Sequence, residues 1–346
     1  MEGRINRPIF VVGSPRSGTS ILTWCLGRHP NIIPLEESSW MGDLAIDLGI
    51  YYQVGIARGD YSLLSSMNVT KAEFFSVFGK TINELILQHE VDLQKQRWRR
   101  AAGPSIPSER FVMYPNAKAR WVDGTPEYSF YICGLLKLFP RALFVHIFRD
   151  VRSVVRSMLH FHQVAGGSLV ANQDEAYRYW LRTVANCILA ERAYGSRVVL
   201  RLRHSDLVHS PEDTVRSLLN FLEEPYAPEC LEPLARRINS SNVPADFEID
   251  DREGNPSLIE EARRLCDEVE RTPQPLEGSV DAVAEIEAAF DERVEYVATL
   301  APNYNKALQT IARLKNNKAK HTAESEKLPG NLEKKKSIIA RFRVQK

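Results

Sequence analysis

Three apolar, β-branched runs along the chain predict buried strands of a parallel sheet. They are Ile9–Val12, Leu143–Phe148 and Val198–Leu202. Each run is followed by a segment in which apolar residues recur at helical spacing, namely Ser20–Gly27, Val151–Phe161 and Pro211–Leu222. Because a strand followed by a helix is repeated along the chain, the pattern predicts an α/β layer sandwich.

Further segments have helical periodicity without strands between them. Residues 38–120, between the first two strand–helix units, contain amphipathic stretches that predict helices over one face of the sheet, and residues 175–195 predict a largely core-facing helix. After about Asn239 only amphipathic helical patterns continue, at 256–272 and 280–302. We therefore predict an α/β domain over residues 1–250, a helical extension over 251–312 and a basic, flexible tail over 313–346.

Charge is distributed unevenly along the chain. The segment Arg313–Lys346 holds eleven Lys or Arg residues against three acidic ones, whereas the other 312 residues carry 34 basic and 41 acidic side chains. A body with this excess of acid does not favour nucleic acid as a partner. Only the tail is suited to an anionic membrane surface or an acidic partner, and a disordered, solvated tail is the simpler interpretation.

The five cysteines, an odd number, are scattered without a C-x-x-C pair, which predicts free thiols in a reducing compartment. No apolar run approaches the roughly 18 residues of a membrane span, and the first residues contain too short an apolar region for a signal peptide. We therefore expect a cytoplasmic location. His160 and His162 lack a third ligand at a useful spacing, so we expect no metal site.

The first candidate site is the turn after the first predicted strand, in the sequence PIFVVGSPRSGTSILTWCLG. Gly13 and Gly18 have the spacing of a phosphate-binding loop, but Thr19 stands where a nucleoside-triphosphate loop has lysine, and Arg16 lies inside the loop. Backbone N–H groups and a helix N-terminus at one point suit a phosphate. The alternative is a plain turn between a strand and a helix.

A second and a third candidate lie at Arg149 with Ser157, and at the pair Glu36 and Glu37. Arg149 ends the second predicted strand, and Ser157 follows two turns into the helix, so a guanidinium and a hydroxyl can hold one phosphate. A carboxylate near the loop can accept a proton from an attacking hydroxyl. The alternatives are a solvated basic helix face and an ordinary solvated acidic pair.

The segment GSPRSGTSILTWCLGRHP resembles the 5′-phosphosulfate-binding loop of sulfotransferases that use 3′-phosphoadenosine-5′-phosphosulfate (PAPS). The motif pattern is most similar to tyrosylprotein sulfotransferases and the broad bacterial sulfotransferase group. The resemblance implies a P-loop NTPase-like three-layer sandwich with a central parallel sheet, and a reaction without a metal. It also implies a cofactor loop formed by Pro15, Arg16, Ser17, Gly18, Thr19 and Ser20.

The same resemblance assigns roles to the other candidates. Arg149 and Ser157 match the residues that hold the 3′-phosphate, and His204 occupies a position near the adenine, although a structural histidine is an equal alternative there. Glu37 matches the catalytic base, with Glu36 as the substitute, and Arg16 matches the cation that neutralises charge on the 5′-phosphate. Ser240 and Ser241 fall where relatives close a serine-containing segment over the cofactor.

The sequence departs from the family in RWVDGTPEY, where Gly124 stands in place of a lysine that helps the leaving group. Three explanations remain open: Lys118 or Arg120 substitutes, Arg16 suffices, or activity is weak. The sequence therefore predicts sulfuryl transfer from PAPS to a small-molecule, carbohydrate, lipid or peptide acceptor. The alternatives are a P-loop small-molecule kinase and an inactive nucleotide-binding or scaffold protein.

Overall fold

The computed structural model describes residues 7–93, 95, 118–235, 243–244, 247–300 and 313–314, and all structural statements below concern these residues. The chain forms two compact units, residues 1–292 and 293–346. In the second unit, the described residues are helical. The predicted boundaries at residues 250 and 312 stay predictions. Ser240, Ser241 and nearly all of the basic tail lie outside the described residues.

Five parallel strands form the central sheet of the first unit. They are β1 (Ile9–Val12), β2 (Ile32–Pro34), β3 (Arg120–Asp123), β4 (Leu143–Phe148) and β5 (Val199–Arg203). Their order across the sheet is β2-β3-β1-β4-β5, with β1 paired to both β3 and β4. The carboxyl end of β1 therefore lies in the middle of one sheet edge, and ligands of open parallel sheets bind at that edge.

The three strands predicted from apolar runs are confirmed, with β5 shifted by one residue, and two short strands were missed. The missed strands β2 and β3 have three and four residues. Proline ends β2, and β3 begins and ends with charged side chains that are buried and paired: Arg120 bonds to Glu224, and Asp123 to Thr125. Because the charged partner of Arg120 lies more than a hundred residues away along the chain, an apolar pattern could not reveal β3.

The helices flank the sheet and agree with the predicted helical segments where both exist. The helices that precede β4 in the sequence are α1 (Thr19–Gly27), α2 (Trp40–Ile56), α3 (Leu63–Ser66), α4 (Lys71–Gln88) and α5 (Ile132–Leu138). Those after it are α6 (Val151–His160), α7 (His162–Ala165), α8 (Gln173–Tyr194), α9 (His204–His209), α10 (Pro211–Phe221), α11 (Glu232–Ala235) and α12 (Pro256–Arg271). Residues 280–292 are also helical.

Both faces of the sheet are covered, which confirms the predicted three-layer sandwich. On one face Leu143, Val145 and Ile147 join residues of α1 and α10 in one apolar cluster. On the other face Phe10 stacks on Phe144, with ring centroids 5.2 Å apart. Since successive side chains of a strand point to opposite faces, the apolar residues of β1 and β4 supply both cores.

A buried charged cluster fixes α8 against β4 and β5. His146 Nδ1 lies 2.6 Å from Glu191 Oε1, and Arg201 Nε donates to Glu191 Oε2 at 2.9 Å. Burial by itself would lower the pKa of His146, but its interactions with Cys187 and Glu191 outweigh burial and raise it to about 10. The cluster therefore joins α8 to both strands.

Candidate active site

The loop after β1 takes a conformation that its two glycines make accessible. Gly13 has φ 148° and Gly18 has φ 112°, values that residues other than glycine rarely adopt. A Cβ atom on Gly13 would lie 2.5 Å from the carbonyl oxygen of Ile147. The first glycine thus lets β1 and β4 stay adjacent while the chain turns into α1.

The N-terminus of α1 is open toward the loop. The first intrahelical bond runs from Leu22 N–H to the Gly18 carbonyl at 3.1 Å, so the N–H groups before it have no acceptor within the helix. The first turn contains no acidic residue, and no side chain caps it. The buried Ser17 hydroxyl has no hydrogen-bond partner among the described residues. These open donors suit an anion.

Arg16 projects from this loop onto α6. Its backbone is in the left-handed region, with φ 72°. Its Nε donates to Ser157 Oγ at 3.1 Å, and its guanidinium carbon lies 4.9 Å from the centroid of the Phe161 ring. Arg149, at the end of β4, donates from Nη1 to the carbonyl oxygen of Arg16 at 3.1 Å. The structure therefore brings together the loop arginine and the predicted 3′-phosphate pair.

The two guanidinium groups form a local surplus of positive charge. Burial, and then the charge of Arg149, lower the pKa of Arg16, while Glu37 opposes both effects. Burial also lowers the pKa of Arg149. None of the ion pairs in the described part of the chain includes either arginine. Both cations are therefore available to a ligand with more than one anionic group.

Glu37 contacts the first turn of α1. Its Oε1 accepts a hydrogen bond from Ser20 Oγ at 2.9 Å, which ties the segment before α2 to the start of α1. Partial desolvation of the carboxyl raises the pKa of Glu37; the Ser20 bond and Arg16 oppose the rise, and Glu127 and Glu36 add to it. Glu36 is exposed. The structure thus places Glu37 in contact with the loop and makes it more basic than an ordinary carboxylate.

His204 begins α9 and packs on the other side of the loop. A Cβ on Gly18 would lie 3.0 Å from His204 Cδ2, so the ring and the loop are in close approach. Burial and the charge of Arg149 lower the pKa of His204 to about 4. The imidazole is therefore neutral at pH 7, and its face can stack on a base without adding charge.

The structure removes one of the explanations for the missing lysine. Lys118 is buried and donates from Nζ to the carbonyls of His29 and Ile32, and Arg120 Nε donates to the carbonyl of Arg7. Both lie at the amino-terminal side of β3, whereas the loop lies at the carboxyl edge of the sheet. Neither residue therefore substitutes for a lysine at position 124.

Position 124 also lacks space for a side chain. A Cβ on Gly124 would lie 2.0 Å from Thr23 Oγ1, and that hydroxyl is held by a 2.9 Å bond to the Thr19 carbonyl. We expect Gly124→Ala to lower the free energy of unfolding by about 1–3 kcal/mol. In the background of Thr23→Ala, which removes the hydroxyl, the same change is expected to cost less. Urea unfolding of the four proteins measures both values, and an unchanged stability of Gly124→Ala would contradict the close packing.

Sequence reasoning missed several polar residues around the loop. Ser129 Oγ accepts the N–H of Gly13 at 2.9 Å, and Thr125 Oγ1 accepts the N–H of Ser38 at 2.7 Å. Asp123 is fully buried, and desolvation raises its pKa to about 7 against the opposing bonds from Thr125 and Ser38. The T-P-x-Y pattern identified this segment in the sequence. The partners of its hydroxyl groups depend on the sheet order, which the sequence pattern does not contain.

The described residues contain neither a candidate metal cluster nor a candidate membrane span. No cluster of three or more His, Cys, Asp or Glu side chains in the described part of the chain has the arrangement of a metal site. No described helix combines the length and the apolar character needed to cross a membrane. The five cysteines are free and buried, as the sequence predicted for their thiols.

Known proteins are similar to this chain over much of its length. A family model described as "Sulfotransferase family" matches residues 8–228. A "Putative protein-tyrosine sulfotransferase" from Caenorhabditis briggsae is 20% identical over 260 residues, which cover 75% of this chain and 78% of the relative. "Protein-tyrosine sulfotransferase A" from Caenorhabditis elegans is 22% identical over 321 residues, 91% of this chain and 74% of the relative. Among solved structures, the sulfotransferase domain of the Synechococcus PCC 7002 olefin synthase is 19% identical, with a TM-score of 0.41 over 82% of this chain and 94% of that one.

Proposed function

The chain belongs to the sulfotransferase family, and from this premise we propose that it transfers a sulfuryl group from PAPS to a hydroxyl or amine, with Glu37 as the base and no metal. One observation carries the proposal. Arg16 bonds to Ser157, and Arg149 bonds to the backbone of Arg16, so two cationic sites meet at the carboxyl ends of β1 and β4. A nucleotide with phosphates on both its 5′ and 3′ oxygens matches two such sites.

The residues present fit PAPS group by group. The open N-terminus of α1, the orphaned Ser17 hydroxyl and Arg16 would hold the 5′-phosphosulfate. Arg149 and Ser157 would hold the 3′-phosphate, and the neutral ring of His204 beside the loop would contact the adenine. A nucleoside triphosphate has no 3′-phosphate and would leave Arg149 without an anion.

Bound PAPS would supply the sulfuryl group: the acceptor oxygen or nitrogen would form a bond to sulfur as the bond from sulfur to the 5′-phosphate oxygen breaks, and adenosine 3′,5′-bisphosphate would leave. Arg16 and the N–H groups of α1 are placed to stabilise the negative charge that develops on the 5′-phosphate. A sulfuryl group carries less negative charge than a phosphoryl group, so these donors suffice without a bridging metal. Glu37, oriented by Ser20, accepts the proton of the acceptor hydroxyl or amine.

The test is transfer of radiolabelled sulfate from PAPS in the presence of EDTA, across phenols, sugars, lipids and tyrosine-containing peptides. The proposal predicts labelled product that does not depend on magnesium. Magnesium-dependent use of ATP would instead support a small-molecule kinase, which Thr19 in the lysine position disfavours.

One observation favours a second candidate, a protein that binds the nucleotide without transferring sulfate. Position 124 has glycine where the family has lysine, and the packing against Thr23 leaves no room for a side chain there. Tight binding of adenosine 3′,5′-bisphosphate, together with no transfer to any acceptor of the panel, would support this candidate.

The assignment of Arg149 leads to a prediction about binding alone. Arg149→Met is expected to weaken adenosine 3′,5′-bisphosphate about 10- to 100-fold, because a charge-assisted bond to the 3′-phosphate is lost. Binding of adenosine 5′-phosphate should change less than about threefold. Calorimetry with both ligands measures the difference, and Arg152→Met, an exposed arginine on α6, is the control. An equal loss for both ligands would contradict the assignment.

The acceptor and the compartment complete the proposal. The tyrosine sulfotransferase names of two relatives support a peptide or small-molecule acceptor, and carbohydrate or lipid hydroxyls belong in the same panel. Five free, buried cysteines support a reducing compartment such as the cytoplasm. Fractionation of the cells that produce the protein would test this location.

A further inference from the structure

The turn that contains Thr125 and Ser129 contacts both halves of the candidate active site. Thr125 follows β3, and Ser129 lies in the 3₁₀ turn Pro126–Phe130. Thr125, Ser129 and Asp123 are all buried. Their hydroxyl and carboxylate groups have no direct role in the mechanism above, so their burial and their bonds require another explanation.

Thr125 holds the segment that carries Glu37. Its Oγ1 accepts the N–H of Ser38 at 2.7 Å and lies 2.6 Å from Asp123 Oδ1, which also accepts the Thr125 N–H at 2.9 Å. The Ser38 carbonyl lies 3.1 Å from the same hydroxyl, but the closer Asp123 Oδ1 takes its proton, which leaves a lone pair for the N–H of Ser38. Because the peptide between Glu37 and Ser38 is planar, holding the Ser38 nitrogen restricts the backbone of Glu37.

Ser129 holds the loop after β1, residues 13–18, which we call the anion loop. Its Oγ accepts the N–H of Gly13 at 2.9 Å and donates to the Pro126 carbonyl at 2.7 Å. Gly13 is the first glycine of the loop, at φ 148°. The segment from Thr125 to Ser129 is therefore bonded at one end to the residue after Glu37 and at the other end to the loop after β1.

We propose that Thr125 and Ser129 are positioning residues that keep Glu37 and the anion loop in one fixed arrangement, Thr125 acting on the base and Ser129 on the loop. This inference rests on the proposed function of both parts. It assigns the T-P-E-Y-S segment a positional role in a chain whose adjacent residue, Gly124, cannot supply a cation.

Two hydroxyl deletions separate the two roles. Thr125→Val keeps the shape and removes the hydroxyl; we expect kcat to fall about tenfold, the loss of one well-placed hydrogen bond, and the Kd of adenosine 3′,5′-bisphosphate to change less than about twofold. Thr125→Ser restores the hydroxyl and should recover most of kcat. Ser129→Ala should instead raise that Kd about five- to tenfold. Thr183→Val, which removes a buried hydroxyl within α8, is the control.

The decisive comparison uses the background of Glu37→Gln. If Thr125 acts through the base, Thr125→Val should cause no further loss of kcat there, because residues that act as a unit are not additive. An equal tenfold loss in both backgrounds would overturn the inference, as would an equal loss of nucleotide affinity in Thr125→Val.

A measurement without turnover keeps the inference separate from the proposed function. In the wild-type protein the amides of Ser38 and Gly13 should exchange hydrogen slowly, since both donate to buried hydroxyl groups. Fast exchange at either amide would overturn the positioning role even in an active enzyme. Slow exchange at both, in a protein that transfers no sulfate from PAPS, would contradict only the proposed function.

Discussion

Replacement of Arg16 with methionine is expected to lower kcat for sulfate transfer about 100- to 1,000-fold, the effect of removing a preorganised donor from a developing anion. Methionine has a similar length and places the same demand on the left-handed backbone at this position. The expected loss therefore reflects the guanidinium, which bonds to Ser157 and lies against the ring of Phe161.

Two variants separate charge from geometry at this position. Arg16→Lys keeps a cation but loses the Nε bond to Ser157, and it should retain activity between the wild type and Arg16→Met. Arg28→Met removes an exposed arginine at the other end of α1 and should leave kcat within about twofold. Steady-state kinetics with labelled PAPS measures all four proteins. A kcat of Arg16→Met within threefold of the wild type would contradict the assignment.

Replacement of Glu37 with glutamine is expected to lower kcat about 100- to 10,000-fold, the usual contribution of a positioned general base. The amide has the shape of the carboxyl group and can still accept a bond from Ser20, so the loop geometry should persist. Binding of adenosine 3′,5′-bisphosphate by calorimetry is expected to stay within about twofold, which confines the loss to proton transfer.

The pH dependence of kcat tests the same assignment of Glu37 as the base. The base is active when ionised, so kcat should rise with pH through the pKa of Glu37, which desolvation places above the ordinary value for a glutamate. This acid limb should be absent in Glu37→Gln. Glu36→Gln removes a neighbouring negative charge, so it should lower the pKa of Glu37 and move the limb to lower pH while keeping activity. If Glu36→Gln abolishes turnover and Glu37→Gln does not, the substitute candidate is the base.

Hydrophobic periodicity was sufficient for the parts of the fold with long apolar signals. The strands β1 and β4 are buried on both faces, and α8 and α12 form where the sequence predicts amphipathic helices. The same criterion missed β3, whose Arg120 is neutralised by Glu224 from more than a hundred residues away. A buried ion pair between distant segments depends on the sheet order, which local periodicity does not contain.

In the candidate site too, local sequence patterns predict some residues, and contacts between distant segments determine the others. The loop, Arg149 and Ser157 are local patterns, and the structure brings them into contact. The bonds of Thr125 to Ser38 and of Ser129 to Gly13 join segments 87 and 116 residues apart, so no spacing rule indicates them. The absence of lysine at position 124 was visible in the sequence, but the lack of space beside Thr23 depends on how α1 packs against the segment after β3.

In the proposed mechanism, two cationic sites at the ends of β1 and β4 form one site for sulfuryl transfer from PAPS. The most direct test of this mechanism is a single-turnover reaction of the full chain with sulfur-35 PAPS in EDTA, run beside Glu37→Gln and Arg16→Met. The account predicts labelled acceptor from the wild-type protein without magnesium and a rate lower by at least about a hundredfold in each variant. Equal rates in all three proteins, or product formed only with ATP and magnesium, would contradict it.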